Sequence, residues 1–331
     1  MNRLFMRPRV GGLAWGARTA LLARLLGVLT ALWTLAIPTT VSACTTCQCG
    51  STPSATIPAG PPASGAWRVV SQAGWQRLRN GQPQVNELRV SEARLDFTAA
   101  WMSQNRWGVG ANWAFVRRTV EEVSGAMEGG YAWTDPSLFA ERLLLPASSP
   151  WLVAAIVGAR LPLSNTLRSS SGERLNVDAQ PAPAAWTPFV SLFVQQTRFT
   201  WQPVLQASLF VPARSRHGFQ PGVAGLMSTG VLTRRDRWMV QLMADARLEA
   251  ADEFDDGADP NSGGFMVAAS PSVWFAASDT WLVGATTRIP LLQPARGQQT
   301  EGVIAQLTLA GQWVRRPHMP APPVLALASP R

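Results

Sequence analysis

The most reactive side chains of this sequence are three cysteines that lie within seven residues. Cys44, Cys47 and Cys49 belong to the stretch CTTCQCG and are the only cysteines of the 331-residue chain. Such thiols can close a disulfide in an oxidising compartment, or bind a soft metal such as Cu(I) as thiolates. A haem attachment site would need a histidine at Gln48, and zinc usually takes four ligands. The identity of any metal is therefore unknown.

The residues before Cys44 add a further possibility. The chain starts with a basic, acid-free stretch, continues with an apolar run from Leu25 to Ile37, and reaches Val41-Ser42-Ala43. This order is typical of a secretory signal peptide, predicted here for residues 1–43. The same three residues with Cys44 also resemble a lipoprotein cleavage box, in which Cys44 would carry a lipid. A disulfide, a lipid anchor, a soft-metal or redox contact and an inert segment all stay open.

Other candidate chemistry is sparse. The chain has two histidines, His217 in the stretch RSRHGFQPG and His318 near the end, and it has no G-x-S-x-G motif. We therefore expect no catalytic residue, no enzymatic activity and no cofactor. The acidic stretch ADEFDDGADPNSGG lacks the alternate ligand spacing of an EF-hand, and we expect a solvated loop there.

The formal charge of +9 does not indicate a nucleic-acid partner. Five of the 29 basic residues precede Cys44 and three follow Val314, so the remaining arginines almost balance the 20 acidic residues. A nucleic-acid-binding surface needs a concentrated basic patch. The basic excess belongs to the two ends of the chain, and we expect no nucleic-acid partner.

The elements that carry the polar side chains have the period of β-strands. In WMVQLMADARLEA, from Trp238 to Ala250, polar and charged residues fall on one parity and apolar residues on the other. A strand places alternate residues on opposite faces, whereas a helix would spread these charges around its circumference. Twelve such segments are predicted, at about 67–76, 88–101, 107–120, 137–145, 151–161, 186–196, 199–211, 221–232, 238–250, 264–276, 281–291 and 302–314. Leu88 and Val90 break the parity of the second segment, and 151–161 is apolar on both faces.

The connections between these segments alternate in length. Short ones such as MSQNR, PASSP, TRRDR and ASDT alternate with mostly longer ones, and tryptophans accompany the short ones. This pattern predicts an all-β fold, a closed antiparallel transmembrane β-barrel of about 12 strands and of the bacterial outer-membrane type. The short turns would face the periplasm. The competing interpretation is a soluble secreted β-sandwich, whose core the aromatic residues would cap.

Several stretches also resemble a known family. WLVAAIVGARLPLSN, HGFQPGVAGLMSTGVL and EGVIAQLTLAGQW are similar to segments of the outer-membrane channel family named for the meta-cleavage pathway of phenol degradation. The leader CTTCQCG resembles one found ahead of some of these barrels. The resemblance implies a barrel that transports a small solute, hydrophobic or aromatic, without catalytic residues. Such chains usually end at an aromatic strand terminus, and this chain departs from the pattern by continuing past Trp313.

Strand parity gives the candidate functional residues. The side chains expected to line the lumen carry both signs of charge and are Arg94, Asp96, Gln241, Asp245, Arg247, Glu249 and Arg288. A mixed lining suits a polar or zwitterionic solute in a channel, or else the charges pair across the lumen and close it. The second case would make the barrel a membrane anchor or a binding scaffold. The expected partners are outer-membrane lipid, the barrel-assembly machinery and a small-molecule solute.

These observations divide the chain into four parts. Residues 1–43 are the predicted signal peptide, and 44–66 hold the cysteine motif and a Pro/Ala/Ser-rich spacer. Residues 67–314 form the predicted barrel, and 315–331 a Pro-rich tail. The predicted location is the bacterial outer membrane.

Overall fold

A computed structural model describes residues 60–80, 87–259, 262–293 and 300–314. The predicted signal peptide, the three cysteines and the C-terminal tail lie outside the described residues. None of the described residues forms a helix long and apolar enough to cross a membrane.

The described residues form strands joined by turns and loops, with one 3-10 turn at Val177–Ala179. The strands are β1 (Ala66–Asn80), β2 (Leu88–Met102), β3 (Trp107–Glu122), β4 (Met127–Trp133), β5 (Ser137–Leu143), β6 (Trp151–Arg160), β7 (Thr187–Gln196), β8 (Trp201–Phe210), β9 (Ala224–Arg235), β10 (Trp238–Glu249), β11 (Glu253–Phe254), β12 (Gly257–Ala258), β13 (Gly264–Ala276), β14 (Trp281–Leu292), β15 (Thr300–Glu301) and β16 (Ile304–Val314).

All but two of these strands belong to one closed antiparallel sheet. β4 and β5 pair with successive parts of β3 on either side of Pro136, and β15 and β16 both pair with β1, so each of these pairs acts as one barrel strand. β11 and β12 form a separate hairpin. β1 pairs with β2 on one side and with β16 on the other. The predicted closed antiparallel barrel with twelve strands is therefore confirmed.

Two strand predictions differ from the structure around β4. The segment predicted at 137–145 is only the second half of its barrel strand, because β4 precedes it at Met127–Trp133. The sequence MEGGYAW hides its alternation, since Gly129 and Gly130 have no side chains to show it. As a result, the long connection expected after β3 is a short turn over residues 123–126.

The two faces of the barrel have opposite polarity. Across the middle of the strands the side chains that point outward are mostly apolar and exposed; Leu242 is 55% exposed and Leu307 is 67% exposed. The side chains that point inward include Glu92, Glu141 and Glu249, which are at most 2% exposed. A soluble protein buries its apolar residues and exposes its charges, so this reversal describes a barrel with lipid outside and a polar lumen inside.

Tryptophans surround the end of the barrel where the short turns lie, called here the short-turn end. Those in the first or last residues of their strands there include Trp67, Trp101, Trp107, Trp151, Trp238, Trp281 and Trp313. Neighbouring rings meet, with centroids 6.2 Å apart for Trp67 and Trp101 and 5.2 Å apart for Trp281 and Trp313. Indole rings favour the boundary between hydrocarbon and water, so this ring of tryptophans marks one membrane interface.

The polarity of the two faces predicts how β16 responds to a charge. Leu309 points outward near the middle of the strand, so Leu309→Arg should lower the free energy of unfolding in lipid vesicles by about 2–4 kcal/mol. Gln306→Arg on the same strand points into the lumen and should cost much less. Urea unfolding followed by tryptophan fluorescence measures both, and equal losses would contradict the assignment of faces.

Candidate functional site

The candidate site is the wall of the lumen. All seven side chains selected from the sequence lie on inward-pointing strand positions, while their neighbours along each strand point outward. Arg94 and Asp96 are on β2 and Arg288 is on β14. Gln241, Asp245, Arg247 and Glu249 lie on the inner face of β10, with Met243 between the first two.

The first group of charges lies on β2 and β3. The Nε atom of Arg94 donates to both carboxylate oxygens of Asp96, at 2.9 and 2.7 Å. The buried carboxylate of Glu92 accepts from Nε of Arg118 at 2.9 Å, and a second nitrogen of the same guanidinium also binds it. Each carboxylate of this group is therefore held by an arginine.

The second group of charges lies on β10 and β15, on the other side of β1, the strand that closes the barrel. Arg247 on β10 approaches two carboxylates, with Nη2 2.5 Å from Oε1 of Glu301 and Nε 3.7 Å from Oε2 of Glu249. Asp245 accepts a hydrogen bond from the hydroxyl of Ser270 on β13. The charges of the lumen thus pair along the wall within each group, on the same strand or between nearby strands, and these ion pairs do not span the lumen.

The wall formed by β5 to β9 carries few charges, and phenylalanines lie on it among polar residues such as Ser191 and Gln206. Its inner face carries a cluster with Phe139, Ile156, Phe189 and Phe210 at its centre. The rings of Phe189 and Phe210 have centroids 5.4 Å apart. This wall explains why the predicted segment 151–161 is apolar on both faces: one face contacts lipid and the other faces the lumen. Sequence reasoning missed these residues because it selected only charged and amide side chains, although their parity was readable.

Glycine makes room for the rings. A Cβ atom at Gly158 on β6 would lie 2.6 Å from Cζ of Phe189 and 2.8 Å from Cβ of Phe139. Both distances are closer than real Cβ contacts, so a larger residue at this position would displace a ring. The phenylalanines therefore occupy a recess that the backbone of β6 provides.

Two ionisable side chains lie on the inner face of this wall, away from the turns. They are Glu141 on β5 and Arg160 on β6, and the guanidinium of Arg160 lies 4.9 Å from the centre of the Phe210 ring. The other inward-pointing ionisable residues of the strands lie on β1 to β3 and β10 to β15 or beside a turn. The lumen consequently has an aromatic side and a charged side.

The loop of residues 161–186 folds into the opposite end of the barrel, called here the long-loop end. Its Leu167, Leu175 and Ala179 pack against inward residues of β1 to β4, among them Val90 and Val116. Leu88 lies at the edge of this cluster. Leu88 and Val90 break the strand parity because at this height the interior is filled by an apolar loop.

Gln180 fixes this loop in place. Its amide nitrogen donates to the carbonyl oxygens of Leu167 at 3.0 Å and of Leu175 at 2.8 Å, and its amide oxygen accepts from the backbone nitrogen of Leu167 at 2.8 Å. Its own carbonyl accepts from Arg118, which also binds Glu92. A buried chain of polar contacts therefore connects the loop to the wall.

A small polar cavity lies beneath the loop. It has a volume of about 10 Å³ and is lined by Arg94, Asn112, Thr134, Asp135, Ser137, Arg160, Ala182 and Pro183. That volume fits about one water molecule. Asp135, at the break between β4 and β5, accepts from the backbone nitrogen of Ser164 at 3.0 Å, so the break and the loop are also joined.

Two further loops cover the long-loop end. In residues 211–223 the buried ring of Phe219 stacks on Phe254, with centroids 5.5 Å apart. Burial and the nearby charges of Arg174 and Arg216 lower the pKa of His217 in this loop, although Asp135 opposes the effect of the arginines.

In the acidic loop, Asp252 is buried and accepts from the backbone nitrogen of Gly222 at 2.7 Å, unlike the solvated side chains expected there. No three or more His, Cys, Asp or Glu residues in the described ranges are grouped to hold a metal ion.

The last part of the N-terminal spacer enters the short-turn end of the barrel. Gly60, Pro61 and Pro62 are buried, and Arg68 donates to the carbonyl oxygens of Gly60 and Pro61, the latter at 3.1 Å. A Cβ atom on Gly60 would lie 2.9 Å from the ring of Phe193, so glycine permits the close approach. The spacer was predicted to be a part of the chain distinct from the barrel, but Gly60, Pro61 and Pro62 are buried within it, because Arg68 offers donors that the chain can reach.

Comparison with known proteins identifies the fold. The chain matches no protein-family model and no curated protein sequence. Among solved structures it is similar to an outer membrane channel from Pseudomonas putida F1, with 10% identity, a TM-score of 0.61 and coverage of 76% of this chain and 97% of that one. The translocator domain of the autotransporter NalP from Neisseria meningitidis is also similar, with 14% identity, a TM-score of 0.45 and coverage of 76% and 90%. The closed antiparallel sheet and the similarity to the Pseudomonas channel show that the chain has the fold of bacterial outer-membrane β-barrels.

The contacts of Arg118 predict how firmly the loop is held. In Glu92→Gln the buried guanidinium loses its carboxylate partner, which leaves a charge uncompensated. Hydrogen–deuterium exchange at the backbone amides of Leu167 and Leu175 should become about tenfold faster or more. Glu121→Gln, which removes an exposed carboxylate, is the matched control and should leave these amides unchanged. Unchanged exchange in Glu92→Gln would show that the chain of contacts does not hold the loop.

Proposed function

We propose that the protein is an outer-membrane channel for a small hydrophobic or aromatic solute, and that the structure describes its closed state. The observation that carries this proposal is the division of the lumen into an aromatic side and a charged side, with chain segments at both ends. The proposal includes transport and no catalytic step.

The orientation follows from the connections. Outer-membrane barrels have short turns at the periplasmic end and longer loops at the extracellular end. The short-turn end, with Arg68 and the spacer, would therefore face the periplasm. The loop of residues 161–186 would face the outside, where a solute enters.

A channel explains the interior better than an anchor or a scaffold does. Eight-strand barrels can be filled by the side chains of their own walls, whereas twelve strands enclose a wider space. Here the loop of residues 161–186 lies inside one end, and residues 60–62 lie inside the other beside side chains of the wall. Segments held by a few hydrogen bonds can move aside as a unit, which side chains rooted in the wall cannot do.

The aromatic side of the lumen suits a flat apolar solute. The rings of Phe189 and Phe210 can stack on an aromatic solute, and the charged side can bind a polar substituent. The resemblance of the sequence to the phenol meta-cleavage family supports the same class of solute. The similarity to the outer membrane channel from Pseudomonas putida F1 supports the β-barrel fold that this proposal requires.

The contacts of Arg68 predict a change in conductance. Arg68→Gln removes a charged donor that binds two carbonyl groups of the spacer, and such bonds contribute about 1.5–3 kcal/mol each. In planar bilayers the mature protein should be mostly closed, and Arg68→Gln should raise the open fraction by about tenfold or more. Arg142→Gln, which changes an outward arginine, is the control and should conduct like the unaltered protein. A correctly folded protein that never conducts in any of these forms would favour the anchor or scaffold.

The aromatic side of the lumen predicts a selective effect on solutes. A small aromatic alcohol such as benzyl alcohol should interrupt the current of the open Arg68→Gln channel more strongly than cyclohexylmethanol does. Adding Phe189→Ala should weaken the interruption by about 2- to 10-fold, the range that an aromatic pair contributes. Val190→Ala, the next residue on the same strand but facing outward, should have no such effect. Equal interruption in the two variants would exclude the phenylalanine side as the path of the solute.

A further inference from the structure

The outer surface of the barrel carries one group of arginines near its extracellular end. Among the described strand residues, the outward-pointing arginines of that half are Arg77 and Arg79 on β1, Arg89 on β2 and Arg117 on β3. Other outward arginines, Arg142 on β5 and Arg235 on β9, lie near the opposite end. These four residues are called the arginine patch.

The strand register brings the four arginines together. Arg79 is the direct partner of Arg89 across β1 and β2. Arg77 lies one row closer to the membrane, opposite Ser91, and Arg117 lies one row lower again, opposite Ala93. Directly opposed residues of neighbouring strands lie about 5 Å apart. The patch therefore spans three rows of adjacent strands.

The lower edge of the patch rests on aromatic rings. The guanidinium of Arg77 lies 4.9 Å from the centre of the Trp75 ring, and that of Arg117 lies 5.7 Å from the centre of the Tyr131 ring. Below them Phe115 contacts Tyr131 and Trp133, with centroids 5.7 and 5.1 Å apart. Because such rings mark the membrane interface, the arginines lie at the level of the lipid headgroups.

The charge of the patch is only partly neutralised within the protein. Glu87 approaches Arg89 at 3.2 Å and Arg79 at 3.9 Å, and Glu121 lies 4.0 Å from Arg89. Arg77 and Arg117 form no ion pair with any residue of the described ranges. An outward position that faces lipid is unfavourable for a charge unless a partner compensates it. These two arginines can therefore bind an anionic group supplied by the membrane.

We propose that the arginine patch binds the phosphate groups of the phosphorylated glycolipid that forms the outer leaflet of the outer membrane. A guanidinium binds phosphate through two parallel hydrogen bonds, which favours arginine for this role. The hydroxyl groups of Ser91 and Thr119, which oppose each other between the arginines, can bind the sugar. The acyl chains lie along Phe115, Tyr131 and Trp133. This inference rests on the orientation given by the proposed function.

The test compares two double variants of the full mature protein by native mass spectrometry in detergent, with bisphosphorylated lipid A as the probe. The protein should retain one lipid A, and Arg77→Gln with Arg117→Gln should weaken that binding by about tenfold or more, since each charge-assisted contact is strong. Arg142→Gln with Arg235→Gln removes two outward arginines at the periplasmic end and should bind normally. Lipid A without phosphates should bind the unaltered protein as weakly as it binds the patch variant.

The outcomes of this test decide the glycolipid site independently of whether the barrel is a channel. Equal binding by the two double variants would overturn it, and so would equally strong, patch-dependent binding of phosphatidylglycerol, which would make the site a general one for anionic lipid. Heat-modifiable migration on gels verifies that each variant is folded. A folded barrel that binds lipid A through the patch but never conducts would support the glycolipid site and contradict only the channel.

Discussion

The structure depends on one constraint, that no backbone hydrogen-bonding group may be left unpaired inside a membrane. Hydrocarbon offers no partner for an amide or a carbonyl, so a sheet in a bilayer must close on itself. β1 meets this requirement by pairing with β2 on one edge and β16 on the other. At the break between β4 and β5, residues of the following loop pair with the backbone groups that the strands leave open. The backbone nitrogen of Leu161 donates to the carbonyl of Pro136 at 2.8 Å, and the backbone nitrogen of Trp133 donates to the amide oxygen of Asn165 at 2.5 Å.

Closure determines where polar side chains can go. Because lipid occupies the outside, every charged residue of the membrane-spanning part must point inward or lie near an interface. The interior then holds both signs of charge, and buried charges are stable only when they are paired. Arg118 and Arg247 meet this need with Glu92 and Glu301. Arg118 also binds the loop through Gln180, so the same side chain neutralises the wall and holds the loop inside the barrel.

The sequence predicted the parts of this arrangement that depend on alternation alone. The inner face of β10 could be read because the alternate residues from Gln241 to Glu249, apart from Met243, are polar while their neighbours are apolar. The contacts of Leu88 and Val90 with the loop could not be predicted from the sequence, because they depend on a segment about 80 residues away. The burial of Gly60 depends on Arg68 and on Phe193 across the lumen. Such contacts follow from the closed barrel, and no local pattern records them.

The arginines show how one residue type serves different purposes according to strand parity. An arginine inside the barrel has fixed partners within the chain, as Arg68 has in the carbonyls of Gly60 and Pro61, so its charge is used to hold a segment. An outward arginine at the height of Arg117 has an aromatic ring beside it and no described carboxylate in an ion pair with it. The lipid at that height is the remaining source of a negative charge. The strands that support the loop inside, β1 to β3, are therefore the same strands that can bind the outer leaflet outside.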